Sequence, residues 1–178
     1  MPRRAVFLDL NGTLVMPVQV QSPTEHQPIP GSIEAVRLLN RAGFICPVVT
    51  IQSRIEKGLF SAQAFLDWFT LLQAQFQEQD AEIVGPYVCP HRRSTACTCR
   101  KPQPDLYWQA AAAWEIDCAR SYVVGDTIDD IRAGKQIGAK ACFVRTGWAN
   151  FHLAETGHEA DYIGDDIRAV AAWIVQNG

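Results

Sequence analysis

The chain contains 178 residues, of which 48% are hydrophobic, and its formal net charge is −3. This length and composition suit one well-buried core, and because no Ser/Gly-rich linker divides the chain, we expect a single domain over residues 1–178. The acidic balance argues against nucleic-acid binding, which requires a basic stripe. No apolar run reaches the roughly 20 residues that a membrane helix requires. We therefore expect a cytoplasmic monomer that contacts neither nucleic acid nor membrane.

Short apolar runs alternate along the chain with segments of helical periodicity. The apolar runs cover residues 5–9, 44–50, 122–126 and 141–144. Helical spacing is marked by Ile33, Val36 and Leu39, by Phe65, Phe69, Leu72 and Phe76 after a Ser61 cap, by the Ala110 to Ala113 stretch after Pro104, and by Ile167, Val170 and Ile174. Continuous apolar runs are typical of strands covered on both faces. The alternation predicts an α/β fold with a doubly wound parallel sheet and right-handed crossovers.

Polar residues close three of the predicted strands, namely Asp9, Thr50 and Asp126. In doubly wound folds ligands bind at the carboxyl ends of the strands. A carboxylate followed by Asn-Gly-Thr offers a nucleophile on a turn whose N–H groups can hold phosphate, although an ordinary Asx turn has the same pattern. The second acidic segment, residues 125–130, favours the phosphate interpretation, because facing carboxylates bind Mg²⁺ through hard oxygens.

Four potential metal ligands are concentrated between residues 89 and 99. Their Cys-x-His and Cys-x-Cys spacing predicts a tetrahedral zinc site formed by Cys89, His91, Cys97 and Cys99. The alternative is two unrelated pairs of thiols with His91 as an ordinary loop residue. A closed site with four protein ligands leaves no position for water, so we expect a structural zinc that orients the adjacent Arg100 and Lys101 toward phosphate.

Together these motifs resemble the haloacid dehalogenase (HAD) superfamily. Its four motifs correspond to Asp9–Leu14, to Thr50, to Lys101, and to Gly125–Asp126 with Asp129 or Asp130. A capless branch of the family, which contains heptose bisphosphate phosphatases and histidinol phosphatases, carries the same Cys-x-His and Cys-x-Cys-Arg-Lys-Pro loop. The resemblance implies a HAD-like fold without a large cap, a zinc-bound loop, and Mg²⁺-dependent phosphatase activity on a small phosphorylated metabolite.

The resemblance also implies roles for individual residues. Asp9 would be the nucleophile that forms an aspartyl-phosphate, and Asp9, the main-chain carbonyl of Asn11, and Asp126 would bind Mg²⁺. Lys101 would neutralise the phosphoryl oxygens, and Arg100 would contact the substrate beyond the reacting phosphate. The implied substrate-contacting residues are Gly12, Thr13, Thr50, Ile51, Gln52, Ser53, Arg100 and Lys101.

Asn11 departs from the family pattern, which has a second aspartate that exchanges protons with the leaving group and with water. Asparagine cannot do this, and loss of general acid–base catalysis costs about 10²–10⁴ in rate. Three explanations remain open: a slow enzyme that uses water or a neighbouring group, a binding protein that has lost turnover, or an Asp-to-Asn change made to trap a complex. The first substrate hypothesis is heptose 1,7-bisphosphate; the alternatives are histidinol phosphate or a catalytically silent phosphate-ligand binding protein.

The surroundings of the expected site give further predictions. The long Pro-rich segment 16–30 is expected to fold over the site as a substrate rim. The branch usually continues its motif-two threonine with Asn-Gln-Ser-Gly, whereas this chain has Ile51 to Arg54, which changes the substrate rim. His26, like His152 and His158, is expected at the surface. Trp148 is expected either to line the rim or to pack in the core.

Overall fold

The computed structural model describes residues 2–156 and 158–178. The strands are β1 (Arg4–Leu8), β2 (Val15–Met16), β3 (Gln27–Pro28), β4 (Phe44–Ile45), β5 (Pro47–Ile51), β6 (Val84–Cys89), β7 (Tyr122–Gly125), β8 (Lys140–Val144) and β9 (Tyr162–Gly164). The helices are α1 (Ser32–Arg41), α2 (Ala62–Gln77), α3 (Asp105–Trp114), α4 (Ile128–Gln136), α5 (Ala149–Thr156) and α6 (Ile167–Asn177). Strands and helices alternate along most of the chain.

The main sheet has seven strands in the order β6-β5-β1-β7-β8-β9, with β4 also pairing with β1. Its neighbouring strands are parallel throughout. The apolar run at residues 44–50 is divided at Cys46, so that β4 pairs with the beginning of β1 and β5 with its end. The predicted parallel sheet is confirmed, and β1 lies at its centre between β5 and β7.

The central strand β1 is covered on both faces. Val6 and Leu8 belong to one buried apolar cluster, whereas Ala5 and Phe7 belong to another, as the two-residue period of a strand requires. The first cluster includes apolar residues of α1, α2 and α6, and the second includes residues of α3 and α4. Helices therefore pack on both faces, which confirms the doubly wound α/β architecture.

Local signals explain where the helices begin. The Ser61 hydroxyl accepts the N–H of Ala64 at 3.0 Å and caps α2, as its sequence predicts. At the start of α4, Asp130 accepts the hydroxyl of Thr127 at 2.6 Å and its N–H at 3.2 Å. This capping arrangement fixes the Asp130 carboxylate at the carboxyl edge of the sheet.

Among the elements that were not predicted are β6, α5 and β9. Gly85 and Pro86 interrupt the strand pattern of β6, and a proline is tolerated there because β6 is an edge strand of the sheet. The β9 strand has only three residues, too few for a periodic signal. These omissions lie at the two edges of the sheet, whereas the central strands were all anticipated.

The segment expected to form the rim is more regular than predicted. It contains the antiparallel pair of β2 and β3 and a short 3-10 helix at Pro23–Glu25. In residues 2–156 and 158–178, no cap domain is inserted between the strands of the main sheet, which agrees with the capless architecture expected. None of the helices in that part of the chain combines the length and apolar character needed to cross a bilayer.

Candidate active site

The carboxyl ends of β5, β1 and β7 bring the candidate chemistry together. Leu8 of β1 pairs with Val48 on one side and Val124 on the other. The chain leaves the sheet at Asp9, whose N–H still donates to the Val124 carbonyl at 2.9 Å. Because neighbouring parallel strands end at one edge, residues far apart in sequence converge there.

Three carboxylates and one lysine form the centre of this edge. Asp9, Asp126 and Asp130 each place a carboxylate oxygen within 4.8 Å of those of the other two. The Lys101 ammonium donates to Oδ1 of Asp9 at 2.7 Å and to Oδ1 of Asp130 at 2.6 Å, and the lysine is only 3% exposed. A buried cation therefore sits between two of the three carboxylates.

Burial sets the protonation of this centre. Desolvation raises the pKa of Asp9 to about 6 even though Lys101 opposes the shift. Desolvation and the neighbouring Asp9 raise the pKa of Asp126 well above its usual value. Burial alone would lower the pKa of Lys101, but the charges of Asp130 and Asp9 hold it well above normal. The site concentrates more negative charge than Lys101 alone neutralises.

Asp126 gives an independent reason to place a divalent cation here. Its Oδ2 accepts the N–H of Trp148 at 2.6 Å, whereas its buried Oδ1 has no hydrogen-bond partner within the described residues. An unpaired buried carboxylate oxygen is costly, and carboxylate oxygens are the ligands that Mg²⁺ prefers. The donor set of Asp9 and Asp126 therefore fits Mg²⁺.

Two glycines allow the loops to close around Asp126. Gly12 has φ +92° and Gly147 has φ +60°, conformations that L side chains rarely adopt. A Cβ at Gly12 would lie 2.3 Å from Oδ2 of Asp126, and one at Gly147 would lie 2.0 Å from the same atom. The Thr146 hydroxyl joins the two loops by donating to the Gly12 carbonyl at 2.5 Å. Thr13 is buried behind this turn, and its hydroxyl oxygen has no partner in the described chain.

The Asn11 side chain is held by three neighbouring segments. Its Oδ1 accepts from Nε2 of Gln52 at 2.8 Å, and its Nδ2 donates to the Val18 carbonyl at 3.1 Å. Nδ2 also lies 3.4 Å from Nε2 of His26. The same Gln52 amide donates to the Thr50 hydroxyl at 3.1 Å. Both polar atoms of Asn11 are thus used within the protein, and Gln52 links Asn11 to Thr50.

The surface position expected for His26 is wrong. His26 is only 3% exposed, and its ring lies against the ring of Trp68 with centroids 5.1 Å apart. The cause is the β2–β3 hairpin, which folds back onto α2 and buries the histidine beside Asn11. Burial lowers the pKa of His26 to about 4, so its ring is neutral at pH 7.

A cavity of about 430 Å³ opens above these residues, within the range of roughly 300–1,000 Å³ usual for small-molecule sites. The sequence-predicted residues that line it are Asp9, Asn11, Thr50, Ile51, Ser53, Arg100, Lys101 and Asp126. Gly12, Thr13 and Gln52 are not part of its wall. Val18 and Gln19 of the predicted rim segment also line it, as do Arg54 and Thr127. Lys57, Arg93, Phe151 and His152 line it without having been assigned to the site from the sequence. Trp148 takes the rim position, one of its two predicted placements.

The Cys/His cluster is assembled next to the cavity. Cys89 ends β6, and the three other ligands follow in the loop before α3. Cys89 Sγ lies 3.7 Å from His91 Nδ1 and 3.9 Å from Cys97 Sγ, and His91 Nδ1 lies 3.2 Å from Cys99 Sγ. Tetrahedral zinc, with Zn–S near 2.3 Å and Zn–N near 2.0 Å, places its ligand atoms roughly 3.5–3.8 Å apart. The four side chains therefore fit a zinc ion.

A parallel sheet with Asp9 and Asp126 at adjacent strand ends, and with Lys101 ion-paired to Asp9 and Asp130, defines a HAD-like hydrolase. A family model described as HAD-hydrolase-like matches residues 98–170. The chain belongs to this family, because relatives that are 31% and 36% identical to it span nearly all of its length.

Among these relatives, the D-glycero-β-D-manno-heptose-1,7-bisphosphate 7-phosphatase of Pseudomonas aeruginosa is 31% identical over 99% of this chain and 100% of its own length. The Haemophilus influenzae protein of the same name is 36% identical over 92% of each. The D,D-heptose 1,7-bisphosphate phosphatase of Bordetella bronchiseptica, solved with magnesium and phosphate, has TM-score 0.89 at 28% identity, over 98% of this chain and 99% of that chain.

Proposed function

We propose that this protein is a phosphoric monoester hydrolase that removes phosphate from a small phosphorylated sugar. The first candidate substrate is D-glycero-β-D-manno-heptose 1,7-bisphosphate, which the names of several relatives specify. The observation that carries the proposal is the Asp9 carboxylate 2.7 Å from a buried Lys101, at the base of an open cavity beside Asp126. A carboxylate nucleophile beside a fixed cation suits attack on a phosphate dianion.

In the proposed reaction the Asp9 carboxylate attacks phosphorus, and the bond from phosphorus to the sugar oxygen breaks. Lys101 and the Thr50 hydroxyl would bind the phosphoryl oxygens, and Arg100 would contact the rest of the substrate. Asp9, the Asn11 carbonyl and Asp126 would hold Mg²⁺, which lowers the repulsion between carboxylate and phosphate. Attack of water on the aspartyl-phosphate would then release phosphate and regenerate Asp9.

Asn11 determines how fast this cycle runs. Its amide carries no exchangeable acid proton, and its two polar atoms are already bonded to Gln52 and Val18. The departing sugar oxygen would therefore take its proton from water in the open cavity or from a neighbouring group. Without a general acid we expect turnover lower by about 10²–10⁴ than that of the same site with a carboxylic acid at position 11.

We further propose that Cys89, His91, Cys97 and Cys99 bind a structural Zn²⁺. The loop between β6 and α3 has no regular secondary structure, so its order depends on its cross-links. Bound zinc contributes roughly 10 kcal/mol or more in small zinc domains, enough to fix such a segment. Because Lys101 and Arg100 follow Cys99 directly, the ion would position both for the phosphate.

The proposal is tested by measuring phosphate release from a panel of sugar phosphates and histidinol phosphate with Mg²⁺, using the chain with Asn11 and its Asn11→Asp variant. Turnover by both proteins, faster with aspartate, supports the enzyme. Turnover by the aspartate variant alone identifies an arrested enzyme. If neither turns over while both bind phosphorylated ligand, the protein is the silent binding protein instead. The cytoplasmic location and the monomeric state stay predictions.

A further inference from the structure

Two aromatic side chains line one side of the cavity, and the proposed reaction uses neither of them. Trp148 and Phe151 both belong to the cavity wall, and their ring centroids lie 5.5 Å apart with an angle of 60° between the ring planes. Phe151 is 75% exposed, so most of its ring faces solvent. An exposed apolar ring gains free energy when a ligand covers it. The two rings therefore offer a flat apolar surface to a molecule bound in the cavity.

Main-chain hydrogen bonds fix the two aromatic residues relative to the carboxylate centre. The N–H of Trp148 donates to Oδ2 of Asp126 at 2.6 Å. At the start of α5, the N–H of Ala149 donates to the Thr146 carbonyl at 3.1 Å, and the N–H of Phe151 donates to the Trp148 carbonyl at 2.9 Å. Because all three bonds use main-chain N–H groups, a change of the Phe151 side chain leaves them in place.

The helix that carries Phe151 is also anchored in the core. Ala149, the first residue of α5, is only 2% exposed and belongs to an apolar cluster with Ile131 of α4 and Phe143 of β8. A helix held by a buried residue positions its exposed side chains more precisely than a loop does. The two rings therefore form a prebuilt surface beside the catalytic centre, and a ligand need not order them.

The cavity also has a polar side. Ser53, Arg54 and Lys57 line it after β5, whereas the two rings follow β8. In the sheet, β5 and β8 lie on opposite sides of β1, so the two sets of side chains flank the cavity with Asp9 between them. A closed sugar ring matches this arrangement, because its C–H groups form an apolar face while its hydroxyls project from the edge toward polar groups.

We propose that Trp148 and Phe151 bind the C–H face of a closed sugar ring in the substrate while its reacting phosphate lies at Asp9. The inference rests on the proposed function and deepens it, because it selects cyclic sugar phosphates over open-chain polyol phosphates that carry similar hydroxyls. An open chain has no fixed apolar face, and it loses conformational entropy when it is ordered against the two rings. The rings distinguish ring from chain, and the strand ends perform the reaction.

The test measures binding separately from turnover. In an Asp9→Asn background, calorimetry with Mg²⁺ compares heptose 7-phosphate with heptitol 7-phosphate, the open-chain alcohol that borohydride reduction of the sugar gives. Phe151→Ala should weaken heptose 7-phosphate binding by about tenfold and change heptitol 7-phosphate binding by less than about twofold. Phe151→Tyr keeps the flat ring and should retain the preference, whereas Phe151→Leu should lose most of it. Leu153→Ala removes an exposed apolar side chain of α5 that is not part of the described cavity wall, and it is the matched control.

Three results would overturn the inference. Two are equal weakening of both ligands by Phe151→Ala and unchanged binding of heptose 7-phosphate. The third is a dependence on Phe151 that histidinol phosphate alone shows, because the rings would then bind its imidazole and not a sugar. Phosphate release by the chain with Asn11, measured separately, tests the proposed function itself. A chain that hydrolyses no sugar phosphate, but whose preference for the ring form disappears in Phe151→Ala, would retain the sugar-binding surface and contradict the phosphatase.

Discussion

The two regions that meet at the cavity are built in different ways. The acidic centre stands on the ends of β1 and β7, so the packed sheet itself brings Asp9 and Asp126 together. The Cys/His loop begins at Cys89, the last residue of β6, and otherwise lies outside the regular elements; its four candidate ligands come from a short stretch of sequence. The packed core holds a site at strand ends rigid, whereas a site on a loop needs its own cross-link. Substitutions at the strand-end carboxylates should therefore alter the chemistry, and substitutions in the Cys/His loop should alter local order.

The largest expected effect is the loss of chemistry in Asp9→Asn. Removing the attacking carboxylate should reduce phosphate release by at least about 10⁴, because no other group in the proposed reaction forms the covalent intermediate. The fold should persist, since Asp9 lies at a strand end and its ionised carboxylate is costly to bury. Steady-state phosphate release measures the loss of activity, and thermal unfolding measures whether the fold persists. Retained turnover in this variant would contradict the assignment of the nucleophile.

The second-largest expected effect is an increase in kcat in the Asn11→Asp variant. A carboxylic acid at this position can protonate the leaving oxygen, so kcat should rise by about 10²–10⁴ on an alkyl phosphate. The gain should be much smaller for an aryl phosphate, whose leaving group departs without a proton. The ratio of the two rates is measured for both proteins. An equal gain on both substrates would argue that position 11 acts through the metal or the fold instead.

Cys99→Ser should affect the loop more than the sheet. We expect loss of stoichiometric zinc, faster proteolysis between residues 90 and 100, and a fall of about 10–100-fold in kcat/KM, because Arg100 and Lys101 lose their anchor. Metal analysis, limited proteolysis and kinetics measure these effects, and far-UV circular dichroism should remain nearly unchanged. Cys142→Ser, a change in a buried strand thiol outside the cluster, is the matched control. Stoichiometric zinc in Cys99→Ser would contradict the ligand assignment.

The sequence predicts the strand-end centre and the Cys/His loop for different reasons. Asp9, Thr50 and Asp126 were found because each ends an apolar run, and strand ends converge in any parallel sheet. The four candidate zinc ligands were identified from the sequence because their spacing is local. Arg54 was placed at the substrate rim, whereas Lys57 was not assigned to the cavity, because a turn outside the regular elements gives no periodic signal.

His26 shows a second limit of sequence reasoning. Its neighbours in sequence are polar, yet the hairpin that carries it folds onto Trp68 and buries the ring. Asp130 illustrates the same limit in the opposite sense. Asp130 belongs to the acidic segment that the sequence assigned to the site, but its ion pair with Lys101 joins residues whose contact only the fold creates.

The smallest expected effect is the pH dependence of the metal-free protein. The pKa of Asp9 is raised from 3.8 to about 6, so the folded state holds this proton more tightly than the unfolded state does. The stability contribution of Asp9 is therefore greatest below pH 4 and falls as pH rises toward 6, by on the order of 1–3 kcal/mol. Mg²⁺ should raise Tm more at pH 7 than at pH 5, because protons compete with the cation at the lower pH. Thermal unfolding with and without Mg²⁺ measures this difference, and Asp9→Asn should reduce it. If Mg²⁺ raised Tm equally at both pH values, the cation would bind away from Asp9. The carboxylates at the strand ends would then not be the magnesium site, and the contrast with the Cys/His loop would fail.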